Sequence, residues 1–358
     1  MELSSNKTNL IAIDIARAIA ALGVFFYHQH IGNLFAKYTK IEIFSYIDAF
    51  GTFYAVPLFF LISGYCIHLS NLKYIQLNEP LPLIVYYKRR FLRIYPPYLG
   101  AVIISVGFNA VTHFGKNPNL QDSLVHLFCI QGFTVKYFNT INLVLWTITV
   151  EIAFYILYPI FYYLRLKYSL NLALTFVFFI SAVNILYFSV QKNVSFAQYY
   201  WVGNIWFSWC CGAFIADKLY FDPKAFNKPS IKVIYIAIAA LFISFLFLKI
   251  SGSILGYQLK ILIWTGPVVY LLSKEHWLSQ RKSLILNLLV YIGLSSYSLY
   301  LLHEPLINFK NYLVHAFLPS QLQVTGLIIG VIVIPIIAWL NYCLIEKPFI
   351  YRRSIGKH

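Results

Sequence analysis

Ten apolar runs, each long enough to cross a lipid bilayer, constrain the fold of this chain more than any other feature. A transmembrane helix needs about 20 predominantly apolar residues. Runs of that length lie near residues 9–28, 47–69, 93–113, 141–163, 170–190, 199–217, 233–250, 254–272, 284–302 and 322–344. Only 11% of the residues are charged, against about 25% in a soluble domain. The sequence therefore predicts an all-α polytopic membrane protein, a bundle of about ten transmembrane helices that forms a single domain over residues 1–358.

The positions of the cations predict how this bundle is oriented. The net charge of +16 does not indicate nucleic-acid binding, because the lysines and arginines lie in short clusters between the apolar runs. With the N-terminus in the cytoplasm, the inside loops carry nineteen lysines and arginines and the outside loops carry seven. This excess follows the positive-inside rule, so both termini are expected to be cytoplasmic. The first run lacks a small-residue cleavage site and is expected to remain as a span.

The first apolar run contains Asp14, Arg17 and His28. Arg17 and His28 are eleven positions apart, about three helical turns, so they share one face and lie about 16 Å apart along the axis. A charge in hydrocarbon costs about 2.5–3.5 kcal/mol, which favours a functional role over the alternative of a topogenic ion pair and an interfacial histidine. His28 can exchange a proton near neutral pH. Arg17 suits a phosphate or carboxylate, and Asp14, one turn away, can orient it.

A second cluster of cations stands where the third run enters the membrane. Lys88, Arg89, Arg90 and Arg93 fall within six residues, and Arg90 and Arg93 share one helix face. This charge density matches the needs of a diphosphate. An anchor on acidic lipid headgroups is an alternative interpretation, and the two are compatible.

Two more polar positions lie in or beside apolar runs. Glu151 falls near the middle of its span, where a carboxylate must be protonated, paired or turned toward a wet cavity. A structural pairing with Arg17 is the alternative to a catalytic role. His303, at the predicted outer end of the ninth span, either lines an outward-facing site near His28 or caps its helix. The sequence has no glycine-rich phosphate loop, no nucleophile elbow and no metal-ligand cluster, so no metal site is predicted.

Two further expectations concern packing. Lys260, inside the eighth run, is expected to extend its ammonium group outward to the membrane surface. Ser63 and Gly64 are expected to form a close-packing site between two helices, because small residues let helix backbones approach.

These motifs, in this order over nearly the whole chain, resemble those of the acyltransferase-3 family of integral membrane acyltransferases. Any one of them is a weak signal, but six in register are specific. The six patterns are Asp14-x-x-Arg17-x-x-Ala20-x-x-x-Val24-x-x-x-His28, Phe59-Phe-Leu-Ile-Ser-Gly64, Arg90-x-x-Arg93 with Tyr95-Pro96, Trp146-x-Ile-x-Val-Glu151, Tyr300-x-x-His303 and Glu346-Lys347-Pro348.

The resemblance implies a function. Family members look like ten-span proteins that move acetyl or other short acyl groups from cytoplasmic acyl-CoA onto acceptors, often glycans of the cell envelope, outside a bacterial inner membrane. It implies essential roles for His28 and Arg17, a critical Arg90–Arg93 pair, and acetyl-CoA as a donor substrate rather than a permanently bound cofactor. The chain departs from many members in having Ile152 where they have a second acid. It is also expected to lack the extracytoplasmic hydrolase-like domain that is fused to some of them.

The residues and the resemblance together support one mechanistic hypothesis. The diphosphate of acyl-CoA binds near the Arg90–Arg93 pair and Arg17, and the pantetheine arm follows the polar stripe toward His28. The histidine acts as a general base on an acceptor hydroxyl, or carries the acyl group itself, while Glu151 or Asp14 holds the imidazole tautomer or balances the buried arginine. The expected partners are acyl-CoA, a glycan or glycolipid acceptor and membrane lipids. Two alternatives stay open: a transporter or flippase with no bond-forming chemistry, and an acyltransferase for a small cytoplasmic or lipid acceptor.

Overall fold

The computed structural model describes residues 10–112, 118–223, 254–319 and 323–351, and every regular element in these ranges is helical. The prediction of an all-α protein is therefore confirmed. The helices up to residue 112 are α1 (Ile11–His28), α2 (Ile31–Thr39), α3 (Tyr46–Phe50), α4 (Val56–Leu69), α5 (Leu72–Gln76) and α6 (Leu83–Thr112). The next are α7 (Leu120–Leu127), α8 (Trp146–Lys167), α9 (Leu170–Ser189), α10 (Phe196–Tyr199) and α11 (Val202–Phe221). The last are α12 (Ile254–Ile263), α13 (Thr265–Ser273), α14 (Glu275–Gln280), α15 (Leu284–Leu294), α16 (Ser296–Phe317), α17 (Gln323–Asn341) and α18 (Lys347–Tyr351).

The chain forms two compact units, each assembled from three separate stretches of sequence. The Arg17 unit comprises Met1–Ala20, Phe53–Leu83 and Val150–Val290. The His28 unit comprises Ala21–Thr52, Ile84–Thr149 and Tyr291–His358. Helix α1 contributes its first half to one unit and its second half to the other. That the chain is a single domain stays a prediction.

Six described helical segments are long and apolar enough to cross a membrane. They are Ile11–His28, Glu42–Leu69, Leu83–Thr112, Trp146–Lys167, Leu170–Ser189 and Thr325–Phe349. The bent pair α15–α16 makes a seventh candidate if it is one span. The chain is thus a multi-pass membrane protein. The run predicted at 233–250 lies outside the described residues, so the count of ten spans and the cytoplasmic position of both termini stay predictions.

The predicted span at 284–302 is wrong as a single straight helix. Helices α15 and α16 meet at Ser295 with a bend of 75°. Small residues surround the bend, and the Ser295 hydroxyl donates to the Tyr291 carbonyl at 3.0 Å, as the backbone N–H of Ser295 also does at 3.1 Å. Helix α16 then runs on to Phe317. His303 therefore lies inside a helix rather than at its end, and Lys310, expected in an outside loop, lies in the same helix.

The run at 254–272 also divides, into α12 and α13, on either side of Trp264. Pro267 explains the break, because proline has no N–H to donate to the carbonyl of Ile263 one turn earlier. Lys260 in α12 is only 3% exposed, and its Nζ lies 4.6 Å from the centroid of the Phe53 ring. The prediction that Lys260 reaches the membrane surface is therefore wrong. Its ammonium group is stabilised by a cation–π contact with the Phe53 ring instead of by water.

Helix α6 begins ten residues before the predicted span at 93–113. Its 30 residues make it about 45 Å long, whereas the hydrocarbon core of a bilayer is about 30 Å thick. The cations at its start are therefore part of the helix, yet need not lie in hydrocarbon.

Two glycines bring α4 and α11 into backbone contact in the Arg17 unit. A Cβ atom on Gly64 would lie 2.0 Å from the Trp209 carbonyl oxygen, and one on Gly212 would lie 2.0 Å from the Leu61 carbonyl oxygen. Such contacts are possible only without a side chain. The predicted close packing at Gly64 is confirmed, with Gly212 as its counterpart.

Gly64→Ala is expected to destabilise the protein, because the added methyl group forces α4 away from α11. Overpacking of this kind costs about 1–3 kcal/mol. Gly100→Ala in α6 is the matched control, since a Cβ there meets nothing within 4 Å and alanine favours a helix by up to about 1 kcal/mol. The measurement is the thermal unfolding midpoint of the two variants in detergent. Equal midpoints for Gly64→Ala and wild type would contradict the close contact.

A buried polar network joins three helices of the Arg17 unit. His68 of α4, which is 0% exposed, bonds the Tyr158 hydroxyl at 3.1 Å and the Asp217 carboxylate at 3.1 Å. Arg165 donates to both oxygens of Asp217, at 2.7 and 3.1 Å. The network satisfies its own charges and is complete without a ligand, so we interpret it as structural.

Candidate functional site

Two histidines from opposite ends of the chain meet in the His28 unit. His28 is the last residue of α1, and His303 lies in the second turn of α16. The Nδ1 atom of His28 lies 3.2 Å from Nε2 of His303, and the ring centroids are 4.9 Å apart. Of the two alternatives for His303, the structure has the one in which it lies beside His28.

The partners of His303 determine which nitrogen of each ring carries a hydrogen. Nδ1 of His303 lies 3.1 Å from the Leu299 carbonyl oxygen, which can only accept. When both rings are neutral, Nδ1 of His303 donates to that carbonyl and Nε2 accepts from Nδ1 of His28. The remaining lone pair is on Nε2 of His28, for which the described residues supply no hydrogen-bond partner. This is the tautomer that a general base needs.

A proline and an asparagine hold α16 in place. Pro305 lies inside the helix and has no N–H, so the Leu301 carbonyl loses its usual partner four residues on. The Nδ2 atom of Asn142 supplies that hydrogen bond at 3.1 Å and also donates to Ser105 of α6 at 3.1 Å. The turn of α16 that carries His303 is therefore tied to α6.

Residues of the Tyr300-x-x-His303 and Glu346-Lys347-Pro348 motifs also help to hold the turn of α16 that carries His303. The Tyr300 hydroxyl accepts from Thr147 Oγ1 at 3.0 Å, at the start of α8. Ser298, one turn before His303, donates to the buried Glu346 carboxylate at 2.9 Å. These contacts position the His303 turn, and the Tyr300 ring also packs against the His303 imidazole, with ring centroids 5.8 Å apart.

A cavity of about 350 Å³ lies beside His28, within the size range of small-molecule sites. Its walls come from the end of α1, from α2, and from α16 and α17. Helix α2 is fixed at its N-terminus by the Asp48 carboxylate, which accepts from the backbone N–H of Gly32 at 2.9 Å and of Asn33 at 3.0 Å. His28 thus faces a preformed space.

Asp14 and Arg17 form an ion pair in the Arg17 unit. Nη1 of Arg17 lies 3.0 Å from Oδ1 of Asp14, and Nη2 lies 3.1 Å from the sulfur of Cys66 in α4. The Asp14 side chain is 6% exposed and that of Arg17 is 20% exposed. Asp14 therefore orients a guanidinium that keeps part of its surface accessible, as the spacing predicted.

The start of α1 is held by an acid that sequence reasoning missed. Glu275 accepts from the backbone N–H groups of Ile11 at 3.0 Å and Ala12 at 2.8 Å. A carboxylate at a helix N-terminus satisfies unpaired donors and complements the helix dipole. Glu275 looks in the sequence like any loop acid, so only the tertiary contact identifies it.

Glu151 binds a serine in the Arg17 unit. Its Oε1 atom accepts from the Ser63 hydroxyl at 2.5 Å, and Ser63 in turn accepts from Trp209 Nε1 at 3.1 Å. Of the two roles predicted for Glu151 or Asp14, Asp14 has the pairing with the buried arginine. His28 has His303 rather than either acid at its Nδ1 atom. Asp14 lies fourteen residues before His28 in one continuous helix, about 21 Å along the axis.

Arg90 and Arg93 belong to the His28 unit and are half-buried on α6. The guanidinium carbon of Arg90 lies 5.7 Å from the centroid of the buried Tyr86 ring. The ring holds the side chain against its own helix, so part of the predicted cluster has a fixed orientation. No group of three or more His, Cys, Asp or Glu among the described residues is arranged to hold a metal ion.

The comparisons with known proteins show the family of the chain. A family model described as an acyltransferase domain, Acyl_transf_3, matches residues 10–340. The chain belongs to the acyltransferase-3 family. No solved structure matches this acyltransferase-3 chain.

Curated relatives of this acyltransferase-3 chain carry the name O-acetyltransferase. It is 25% identical to O-acetyltransferase OatA of Staphylococcus aureus, over 95% of this chain and 57% of the relative. It is 26% identical to peptidoglycan O-acetyltransferase OatA of Listeria monocytogenes, over 94% of this chain and 55% of the relative. The chain spans little more than half the length of these relatives.

Proposed function

We propose that this protein is a membrane O-acyltransferase that moves an acyl group, by default acetyl, from cytoplasmic acyl-CoA to a hydroxyl of a cell-envelope glycan, in a bacterial inner membrane. The observation that carries the proposal is the imidazole of His28, whose Nδ1 is held by His303 and whose Nε2 is unpartnered among the described residues beside a cavity. The O-acetyltransferase names of the relatives support the reaction class, and the glycan acceptor follows the peptidoglycan name of one of them.

In the proposed reaction His28 acts as a general base. Nε2 takes the proton from the acceptor hydroxyl while the oxygen attacks the thioester carbonyl. The resulting tetrahedral intermediate collapses, the C–S bond breaks, and the imidazolium returns the proton to the leaving thiolate of CoA. General-base catalysis contributes about 10²–10⁴-fold. In the covalent variant, Nε2 attacks the thioester and the C–S bond breaks, which releases the thiolate of CoA. The acceptor oxygen then attacks the acyl-imidazole, the N–C bond to the acyl group breaks, and the hydroxyl proton is left to neutralise the thiolate.

The donor is proposed to bind through the arginines. Arg17 presents a guanidinium oriented by Asp14, and its partial exposure leaves N–H groups for a phosphate oxygen. Arg90 and Arg93 supply further cations on α6. Arg17 and His28 are about 16 Å apart along one continuous helix, a length of the same order as the pantetheine arm of CoA.

Arg17→Ala is expected to raise the KM for acetyl-CoA by about tenfold or more, because a charge-assisted phosphate contact contributes about 1.5–3 kcal/mol. Arg17→Lys should recover only part of the loss, since an ammonium group lacks the planar fork. Steady-state kinetics on purified protein measure the change. Lys282→Ala, an exposed cation in a loop predicted on the same side, is the control and should leave the KM unchanged. An unchanged KM in Arg17→Ala would remove this residue from the donor site.

One observation favours a transporter instead. The 75° bend between α15 and α16 is the kind of helix break found at transporter binding sites. No second break stands at a matched position among the described helices, which weighs against a transporter built from inverted repeats.

The test of the proposal uses membranes from cells that express the protein, supplied with acetyl-CoA labelled on the acetyl group. Label in the envelope glycan together with release of free CoA, both absent from membranes without the protein, is the expected result. Glycan transport across the membrane with neither label nor CoA release would favour the transporter. Label in lipid or in a soluble product would favour an acyltransferase whose acceptor is a small cytoplasmic or lipid molecule.

A further inference from the structure

Six polar or cationic side chains line the cavity beside His28, together with the aliphatic Leu34, Ile307 and Leu327. Lys37 and Lys310 contribute ammonium groups, Gln29, Asn33 and Asn311 contribute amides, and His30 contributes a second imidazole. Among the described residues that line the cavity there is no aspartate or glutamate. A neutral sugar is bound well by amides alone, so the two ammonium groups point to an additional, anionic feature of the occupant.

Gln29 gives an independent sign of a missing ligand. The residue is 4% exposed, and its Oε1 accepts from Lys310 Nζ at 2.8 Å. Its Nε2 is buried and has no hydrogen-bond partner among the described residues. A buried donor without a partner costs about 1–3 kcal/mol. Because Gln29 lines the cavity, a small movement of its amide away from Gly330 would let Nε2 donate to a ligand oxygen.

The hydrogen bond from Lys310 also fixes the orientation of the Gln29 amide. Because Oε1 is engaged by the ammonium group, the amide is held with Nε2 as its remaining free end. Lys310 has two further N–H groups, since an ammonium has three donors. The pair therefore presents an amide donor next to a cation, which suits the oxygen-rich edge of an acidic sugar.

We propose that this cavity is the acceptor site, and that it selects a sugar unit carrying an anionic group, such as a uronic acid, with Gln29 and Lys310 on its inner wall and Lys37 at its rim. The proposal rests on the proposed function only in that His28 is the base. In this arrangement the anionic group is held by the ammonium groups, and a hydroxyl of the same sugar unit is presented to Nε2 of His28.

The experiment measures equilibrium binding without any acyl donor, so that a failure of the acyl-transfer proposal would not affect it. The full-length protein in nanodiscs of phosphatidylcholine is titrated with a short glucose oligosaccharide and with its uronic acid counterpart of equal length. The acidic oligosaccharide is expected to bind about tenfold tighter or more, since each charge-assisted contact contributes about 1.5–3 kcal/mol. Lys310→Gln and Lys37→Gln should each reduce that preference, and Gln29→Leu should weaken the binding of both oligosaccharides.

The control is Lys40→Gln, which removes an exposed cation just after α2 that does not line the cavity. This variant should keep the wild-type preference. Equal binding of the two oligosaccharides, no saturable binding of either, or a preference that persists in Lys310→Gln would overturn the proposal. Displacement of the acidic oligosaccharide by phosphatidylglycerol in the nanodisc would assign the cavity to a lipid headgroup instead and would also overturn it.

Discussion

His28→Ala is expected to reduce acyl transfer at least about 100-fold without lowering the amount of protein in the membrane. Removing a general base costs about 10²–10⁴-fold, and a covalent role for the imidazole would cost more. The measurement is the transfer of labelled acetyl per molecule of correctly inserted protein. His276→Ala, which removes an exposed histidine of α14 in the Arg17 unit, is the control and should retain full activity.

Two results would contradict this role for His28. Full activity in His28→Ala would mean that the imidazole is neither base nor acyl carrier. Loss of activity that follows loss of protein, with wild-type turnover in the remaining molecules, would mean that the residue holds the end of α1 in place. His28→Gln helps to separate these outcomes, because the amide can keep a hydrogen bond to His303 but cannot take a proton at neutral pH.

His303→Leu is expected to lower kcat about tenfold or more with little change in the KM for acetyl-CoA. The side chain does not touch the donor in the proposed arrangement. Its Nε2 accepts the hydrogen of His28 Nδ1 and so keeps Nε2 of His28 free for the proton of the acceptor. Without this partner the imidazole can rotate or change tautomer, and the base is correctly presented only part of the time.

The informative variant is His303→Glu, because the carboxylate of glutamate reaches about as far from Cβ as Nε2 of histidine does. A carboxylate can accept the same hydrogen, so this variant should be more active than His303→Leu even though a buried carboxylate is the less stable replacement. A purely structural role predicts the opposite order of activities. His126→Ala is the matched control, since His126 is also 0% exposed in the same unit, and burial lowers the pKa of its ring. It should cost stability and leave kcat per folded molecule unchanged.

Local periodicity was sufficient to predict the polar stripe of α1. Asp14 and Arg17 are one turn apart in the sequence and form the expected ion pair, and the helix continues without a break to His28. These contacts depend only on helical geometry. The partner of His28 was harder to predict, because His303 is 275 positions away and only the packing of α16 brings it close. The Tyr300-x-x-His303 motif marked His303 as a candidate functional residue, but it did not indicate which role His303 has.

The wrong expectations have a common physical origin. A hydropathy run shows where a segment can lie in lipid, but it does not show where the helix begins or bends. Helix α6 starts among its cations because Lys and Arg are good helix formers, and α16 continues past Pro305 because Asn142 satisfies the freed carbonyl. The pairing of Gln29 with Lys310 could not be predicted for a different reason. Single polar residues near the end of a span are common, and only their 2.8 Å contact distinguishes this pair.

The hydrogen-bonded series that begins at His28 ends on the main chain, at the carbonyl of Leu299. In a Ser–His–Asp triad the corresponding terminal acceptor is a side chain, which a mutation can delete and an alignment can display. Here every amino acid at position 299 would supply the same oxygen as long as the helix persists. If the proposed mechanism holds, a search for three co-occurring catalytic side chains would therefore find only His28 and His303. The third group, the Leu299 carbonyl oxygen, is placed by the backbone geometry of α16. A substitution that breaks this helix would remove its contact with His303, whereas truncation of the Leu299 side chain would not.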